Sequence, residues 1–122
     1  MMLLLSLACA PDVTLTPVTV PCENVDLANL PPSELTSSAS GDIITVSLTN
    51  VEEPSGLEFN PTLEPDGRIL HVRADWKGEP GDADFCYQPE VEIGGLKGKL
   101  EVRWYLKVDD EVPYDTLTVK SG

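Results

Sequence analysis

The chain has 122 residues, with 21 Asp and Glu against 8 Lys and Arg and a formal net charge of −13. A chain of this length forms one domain around one core. Such an acidic chain repels nucleic-acid phosphates. It also repels an anionic membrane, so any membrane attachment needs something other than a basic patch.

The amino terminus is apolar and reads MMLLLSLAC from Met1 to Cys9. It resembles the end of a bacterial lipoprotein signal peptide, in which cleavage before the cysteine leaves an amino-terminal residue that carries lipid. The resemblance implies a signal segment at residues 1–8, a lipid on Cys9 as the membrane attachment, and a bacterial cell-envelope protein on the periplasmic or extracellular side. Because no Lys or Arg precedes the run, we hypothesise that the leader begins upstream of Met1. The apolar run is too short to span a bilayer. The alternative to a signal peptide is an ordinary buried first strand with a free Cys9.

Three cysteines leave one unpaired in any disulfide scheme. If Cys9 carries lipid, Cys22 and Cys86 remain as a pair, and such a bond would stabilise a small exported domain by about 4 kcal/mol. The alternative is two buried free thiols in a reducing compartment. There is no CxxC motif, and His71 is the only histidine, so a zinc site lacks ligands.

The first half of the chain predicts two strands separated by a loop. Residues 13–20 are rich in β-branched side chains, and Pro17 predicts an edge strand that changes sheet at the proline. Residues 23–40 are predicted to form a long loop, with a single helical turn at residues 32–35. Residues 43–50 alternate as a strand whose inward side chains are Ile44, Val46 and Leu48.

The second half predicts further short strands. They are residues 57–59, residues 68–76 and residues 90–93, with a loop at 77–84. In the second of these, one face is apolar and consists of Leu70, Val72, Ala74 and Trp76. His71 lies on the other face, and no nucleophile motif accompanies it, so we expect no catalytic role for it.

The clearest pattern is a hairpin near the carboxyl terminus. Residues 100–108 alternate between apolar and polar side chains, and residues 114–120 return after a short acidic turn at 109–111. Burying both apolar rows on one side predicts Trp104 opposite Leu117 and Val102 opposite Val119. The same register sets Glu101 beside Lys120.

About seven short strands without a convincing helix predict an all-β, two-sheet antiparallel sandwich. Part of the chain is similar in its strand-and-corner patterns to the immunoglobulin-like or fibronectin-III-like domains of bacterial exported lipoproteins. The similar parts are residues 41–46, residues 66–72, Cys86 and residues 91–102. The resemblance implies a single immunoglobulin-like domain over residues 9–122.

Three groups of residues are candidates for function. Tyr105 and Tyr114 are expected on the outer face of the hairpin, where they would contact a protein partner or a sugar. Asp82 and Asp84 offer oxygen ligands for calcium, with a solvated turn as the alternative. Paired carboxylates could also hydrolyse a glycosidic bond, although the sequence does not show their separation.

These observations lead to one functional expectation and two alternatives. We expect a non-catalytic, lipid-anchored binding or structural module that contacts an envelope protein or a larger membrane assembly and needs no cofactor. The first alternative is a carbohydrate-binding or calcium-dependent adhesion module. The second is a small hydrolase that uses paired carboxylates.

Overall fold

The computed structural model describes residues 13–23 and 25–122, which form eleven strands and one short 3-10 helix. The first sheet contains β1 (Thr14–Pro21), β2 (Leu35–Ser40), β3 (Ile43–Leu48), β4 (Val51–Pro54) and β9 (Asp84–Gly94). The second contains β6 (Thr62–Asp66), β7 (Ile69–Arg73), β10 (Gly98–Tyr105) and β11 (Asp115–Ser121). A small third sheet pairs β5 (Leu57–Phe59) with β8 (Trp76–Gly78). The predicted all-β sandwich is confirmed. Among the described residues, there is no helix with the length and apolar content needed to span a bilayer.

The first sheet is built around β9, its longest strand. β1 pairs antiparallel with β9 over its whole length, and β3 and β4 pair in succession with the other side of β9. The prediction that β1 is an edge strand is confirmed, as expected for a strand in which Pro17 and Pro21 lack an N–H group. The predicted change of sheet at Pro17 is wrong, because β1 stays paired with β9 on both sides of the proline.

The second sheet consists of two antiparallel hairpins, β6–β7 and β10–β11. They join through a parallel pair between β7 and β10, so this sheet is mixed. The predicted antiparallel arrangement holds for all the other strand pairs of the described residues. The chain leaves β7, crosses to the first sheet as β9, and returns as β10 in the same direction as β7.

The predicted register of the β10–β11 hairpin is wrong by two residues. Val102 faces Leu117 and Leu100 faces Val119, whereas Trp104 faces Asp115. The shift keeps the same side chains on the inner face, because the side-chain period of a strand is two. It arises because β10 ends at Tyr105, so that a long loop replaces the tight acidic turn. Glu101 therefore faces Thr118 rather than Lys120.

The prediction for residues 23–40 is only partly right. A 3-10 turn lies at Leu27–Asn29, where the Asp26 carboxylate accepts a hydrogen bond from the Ala28 amide, and not at residues 32–35. Residues from Leu35 onward form β2, an edge strand that pairs with β3 across the Gly41–Asp42 turn. Leu35 is its one buried side chain, so β2 carries no alternating signal. The described strands β4, β6 and β8 were also not predicted.

The core lies between the two inner faces and contains the predicted apolar rows, except for Leu106 and Val108, which are exposed. Its fully buried side chains include Ile44, Val46, Leu70, Val72 and Trp104. Trp76, also predicted inside, is only half-buried and packs against the core from the small third sheet.

A disulfide joins Cys22, just after β1, to Cys86 in β9, which confirms the predicted pair. We call the end of the sandwich that contains this disulfide and Tyr105, the last residue of β10, the distal end. The other end, where Thr14 at the start of β1 pairs with Gly94 at the end of β9, is the proximal end. The eight residues of β1 separate the two ends by roughly 26 Å, at about 3.3 Å per residue.

Candidate functional site

The distal end contains a groove formed by two adjoining cavities of about 340 and 260 Å³. The larger lies at the lower limit of the range for ligand pockets, roughly 300 to 1,000 Å³. Both cavities are lined by Glu53, Ala74, Trp76, Leu106 and Lys107. We call this feature the Trp76 groove.

One wall of the groove comes from β4, which follows a bend in the chain at Asn50. Asn50 has a φ of 53°, a left-handed conformation that asparagine adopts more readily than most residues. The Ser33 hydroxyl donates to the Asn50 carbonyl at 3.0 Å, and the Thr49 amide donates to the Glu34 carbonyl at 3.0 Å. These bonds fix the bend, and the next residues, Val51 and Glu53, then line the groove.

Trp76 is held in place by other aromatic rings. Its ring centroid lies 5.1 Å from that of Phe59 and 5.6 Å from that of Tyr87. Phe59 in turn stacks on Trp104, at 6.2 Å. Trp104 lines the smaller cavity and is fully buried, and among the described residues its indole N–H is the buried side-chain group without a hydrogen-bond partner. The groove therefore has a rigid aromatic wall.

The charges of the groove are mainly negative. Glu52, Glu53, Asp75 and Asp109 line its cavities together with the single cation Lys107. Burial raises the pKa of Glu53, the negative charge of Asp84 raises it further, and the charge of Lys107 opposes the rise. The surroundings of Glu53 thus disfavour its ionised form.

The loop of residues 106–114, which we call the apolar loop, borders the groove. It carries four of the large hydrophobic side chains that the structure leaves exposed: Leu106 (43%), Val108 (44%), Val112 (75%) and Tyr114 (43%). Exposed apolar patches on a soluble domain commonly mark a contact with a protein or another ligand.

The apolar loop is fastened to the sandwich on several sides. The Arg73 guanidinium donates hydrogen bonds to the carbonyls of Val108 and Asp110, at 3.2 and 2.8 Å. The Tyr114 amide donates to the Trp104 carbonyl at 2.7 Å, and the Tyr114 hydroxyl donates to the Ser33 carbonyl at 2.8 Å. The exposed side chains are therefore presented from a fixed backbone.

The two predicted partner-binding tyrosines have different environments. The expectation that Tyr105 points into solvent is wrong, because only 3% of it is exposed. Its hydroxyl shares a hydrogen bond with His71 Nδ1 at 2.8 Å, and the Arg73 guanidinium lies over its ring at 4.1 Å. Tyr114 is exposed as predicted, on the apolar loop. Tyr105 thus helps to hold the loop, whereas Tyr114 belongs to its surface.

The predicted calcium ligands, Asp82 and Asp84, both lie in the described part of the chain. No group of three or more His, Cys, Asp or Glu side chains that could hold a metal ion is found there. Asp82 and Asp84 are both exposed, and Asp84 lies near Glu53, across the β4–β9 pair. The predicted lipid site Cys9 and the predicted signal segment 1–8 lie outside the described residues.

A third cavity, of about 450 Å³ and mainly apolar, lies beside the disulfide at the same end. Leu27, Phe85 and Tyr87 are among its lining side chains, and Phe85 is exposed. The ring centroids of Phe85 and Tyr87 are 6.4 Å apart, so a row of aromatic rings connects this cavity to Trp76. The apolar surface of the distal end thus extends beyond the Trp76 groove.

The sequence did not identify Glu53, Leu106, Val108 or Val112 as site residues. The signal for two of them is that Leu106 and Val108 stand directly before the acidic turn Asp109-Asp110-Glu111, although their alternation with the preceding residues indicated buried side chains. The comparisons with known proteins found no matching family model, no similar curated protein and no similar solved structure.

Proposed function

We propose that this chain is a lipid-anchored binding module of the bacterial cell envelope, which contacts a protein partner through its distal end. The observation that carries the proposal is the apolar loop, where Leu106, Val108 and Val112 are exposed beside the Trp76 groove. Arg73 already holds the backbone of this loop. The loop therefore loses less conformational entropy when a partner binds.

Two further features support a location in the cell envelope and an orientation relative to the membrane. The bond between Cys22 and Cys86 is typical of proteins in oxidising compartments, such as exported proteins. A lipid on Cys9 would lie five residues before Thr14, the first residue of β1 at the proximal end. The apolar loop would then face away from the membrane.

The membrane attachment is tested by labelling cells with a clickable fatty acid. We expect a labelled band for the wild-type chain and none for Cys9→Ser. An unchanged band in Cys9→Ser would contradict the lipid anchor.

The binding surface is tested by two matched pairs of charge substitutions. Val108→Asp with Val112→Asp places two carboxylates on the apolar loop, and Thr116→Asp with Thr118→Asp places two on exposed positions of β11. After chemical crosslinking in intact cells, we expect the first pair to abolish a discrete protein adduct of the wild-type chain and the second pair to preserve it. Equal amounts of the adduct from the two double variants would contradict binding through the apolar loop.

A second candidate function is carbohydrate binding, which the half-buried Trp76 favours. Indole rings stack on sugar rings, and groove carboxylates such as Glu53 and Asp75 accept hydrogen bonds from hydroxyl groups. Chemical-shift changes at Trp76 on adding soluble envelope glycans would support this candidate. A spectrum that stays unchanged would remove it.

A further inference from the structure

We propose that the Trp76 groove binds a lysine or arginine side chain of a partner protein, with the apolar loop packing on the aliphatic part of that residue and on its apolar neighbours. The inference rests on the proposed function and deepens it by specifying the chemistry of the partner. It combines the shape of the groove, its charges and its aromatic wall.

The charges of the groove favour a cation. Four carboxylates line the two cavities, from Glu52, Glu53, Asp75 and Asp109, against one ammonium group, from Lys107, so the formal charge is −3. The chain as a whole carries −13, which repels an anionic segment and attracts a basic one over longer distances. An entering cation would also stabilise the ionised form of Glu53, which burial and Asp84 now disfavour.

The walls of the groove suit the rest of such a side chain. Leu57, Ala74 and Val108 provide apolar contacts for a methylene stem. The indole of Trp76 can attract a cation placed over its face. The chain already contains one such contact, in which the Arg73 guanidinium lies 4.1 Å from the centre of the Tyr105 ring.

The ammonium group of Lys107 would compete with a partner's cation for the carboxylates of the groove. It lines both cavities, and its charge opposes the rise in the Glu53 pKa. It nevertheless makes no ion pair with Glu53 within 4.0 Å among the described residues. Removing the Lys107 charge should therefore strengthen the binding of an external cation, whereas removing the Glu53 charge should weaken it.

Isothermal titration calorimetry with three capped eight-residue peptides tests the inference. The first alternates arginine with leucine, the second replaces each arginine by glutamine, and the third replaces each by glutamate. We expect the wild-type chain to bind the arginine peptide, with an affinity that falls as salt is added, and to bind the other two at least tenfold more weakly. Equal binding of the arginine and glutamine peptides would overturn the inference, and so would the absence of binding to the arginine peptide.

Matched variants separate the groove from the general negative charge of the chain. Glu53→Gln should weaken the arginine peptide about tenfold, which corresponds to one charged contact of about 1.4 kcal/mol. Glu64→Gln removes the same charge from exposed β6, outside the groove, and should change the affinity less than twofold. Lys107→Gln should tighten binding about threefold, whereas Lys120→Gln on β11 should not. Equal effects within either pair would overturn the inference.

The peptide result and the crosslinking result fail independently. Loss of the protein adduct in the Val108 and Val112 variants, together with no preference for the arginine peptide, would leave an apolar docking surface and remove only the cationic ligand. Adducts that persist in those variants would contradict the proposed function itself.

Discussion

Arg73 is the residue on which the conformation of the apolar loop depends most directly, and Arg73→Met tests that dependence. Methionine keeps much of the apolar stem and removes the guanidinium. The variant thus loses the hydrogen bonds to the carbonyls of Val108 and Asp110 and the contact over the Tyr105 ring.

The size of the effect follows from these contacts. A hydrogen bond from a charged group contributes about 1.5 to 3 kcal/mol, and a cation over an aromatic ring about 0.5 to 1 kcal/mol at an exposed site. The bond to Val108 is exposed and the bond to Asp110 is half-buried, so values near the lower limits apply. We expect the free energy of local opening to fall by about 3.5 kcal/mol, which corresponds to roughly a 400-fold increase in the open population.

Native-state hydrogen exchange measures this opening. The amides to follow are those of Asp110 and Tyr114, which donate to the carbonyls of Lys107 and Trp104. We expect both to lose protection in Arg73→Met, whereas Val102, at the centre of β10, keeps its protection. Lys120→Met removes one positive charge elsewhere and serves as the control. Unchanged exchange at Asp110 and Tyr114, or an equal loss in Lys120→Met, would refute the role of Arg73.

Three further predictions concern stability. Cys22→Ser should lower the free energy of unfolding by about 4 kcal/mol, because the disulfide spans a sequence separation of 64 residues. Urea denaturation measures this loss, which should equal the loss on reducing the wild-type chain. Equal stability of the oxidised and reduced chains would contradict this value. Glu53→Gln should raise the Tm at pH 7, because ionising a carboxyl whose folded pKa is raised costs stability. The gain should shrink as the pH falls and vanish below about 4.5, and a gain that persists in stronger acid would contradict this cause. Val112→Asp should change the free energy of unfolding by less than about 0.5 kcal/mol, because the side chain is largely exposed, and a larger loss would show a packing role.

The strands that could be predicted from the sequence are those with one buried face. β3, β7 and β10 carry uninterrupted apolar rows. The inward side chains predicted for residues 43–50 and 68–76 are buried, apart from Trp76, which lies in β8 and is half-buried. β2 could not be predicted because its side chains after Leu35 are exposed on both faces. β6 is a comparable case, since it is an edge strand with only Leu63 turned towards the core.

The site was harder to predict because it depends on where a strand ends. The alternation through Leu106 and Val108 suggested buried side chains, but β10 stops at Tyr105 and the following residues turn away from the core. Tyr105 occupies an outward position by period, yet His71 and Arg73 cover it. Such covering involves residues more than thirty positions apart in the chain and leaves no local pattern.

The most direct test of binding through the distal end is site-specific photo-crosslinking in intact cells. A photoreactive residue is placed either at Val108 on the apolar loop or at Ser38, an exposed position in the middle of β2. We predict a discrete protein adduct from position 108 and none from position 38. Adducts of equal yield from both positions, or none from position 108, would contradict the assignment of the distal end as the binding surface.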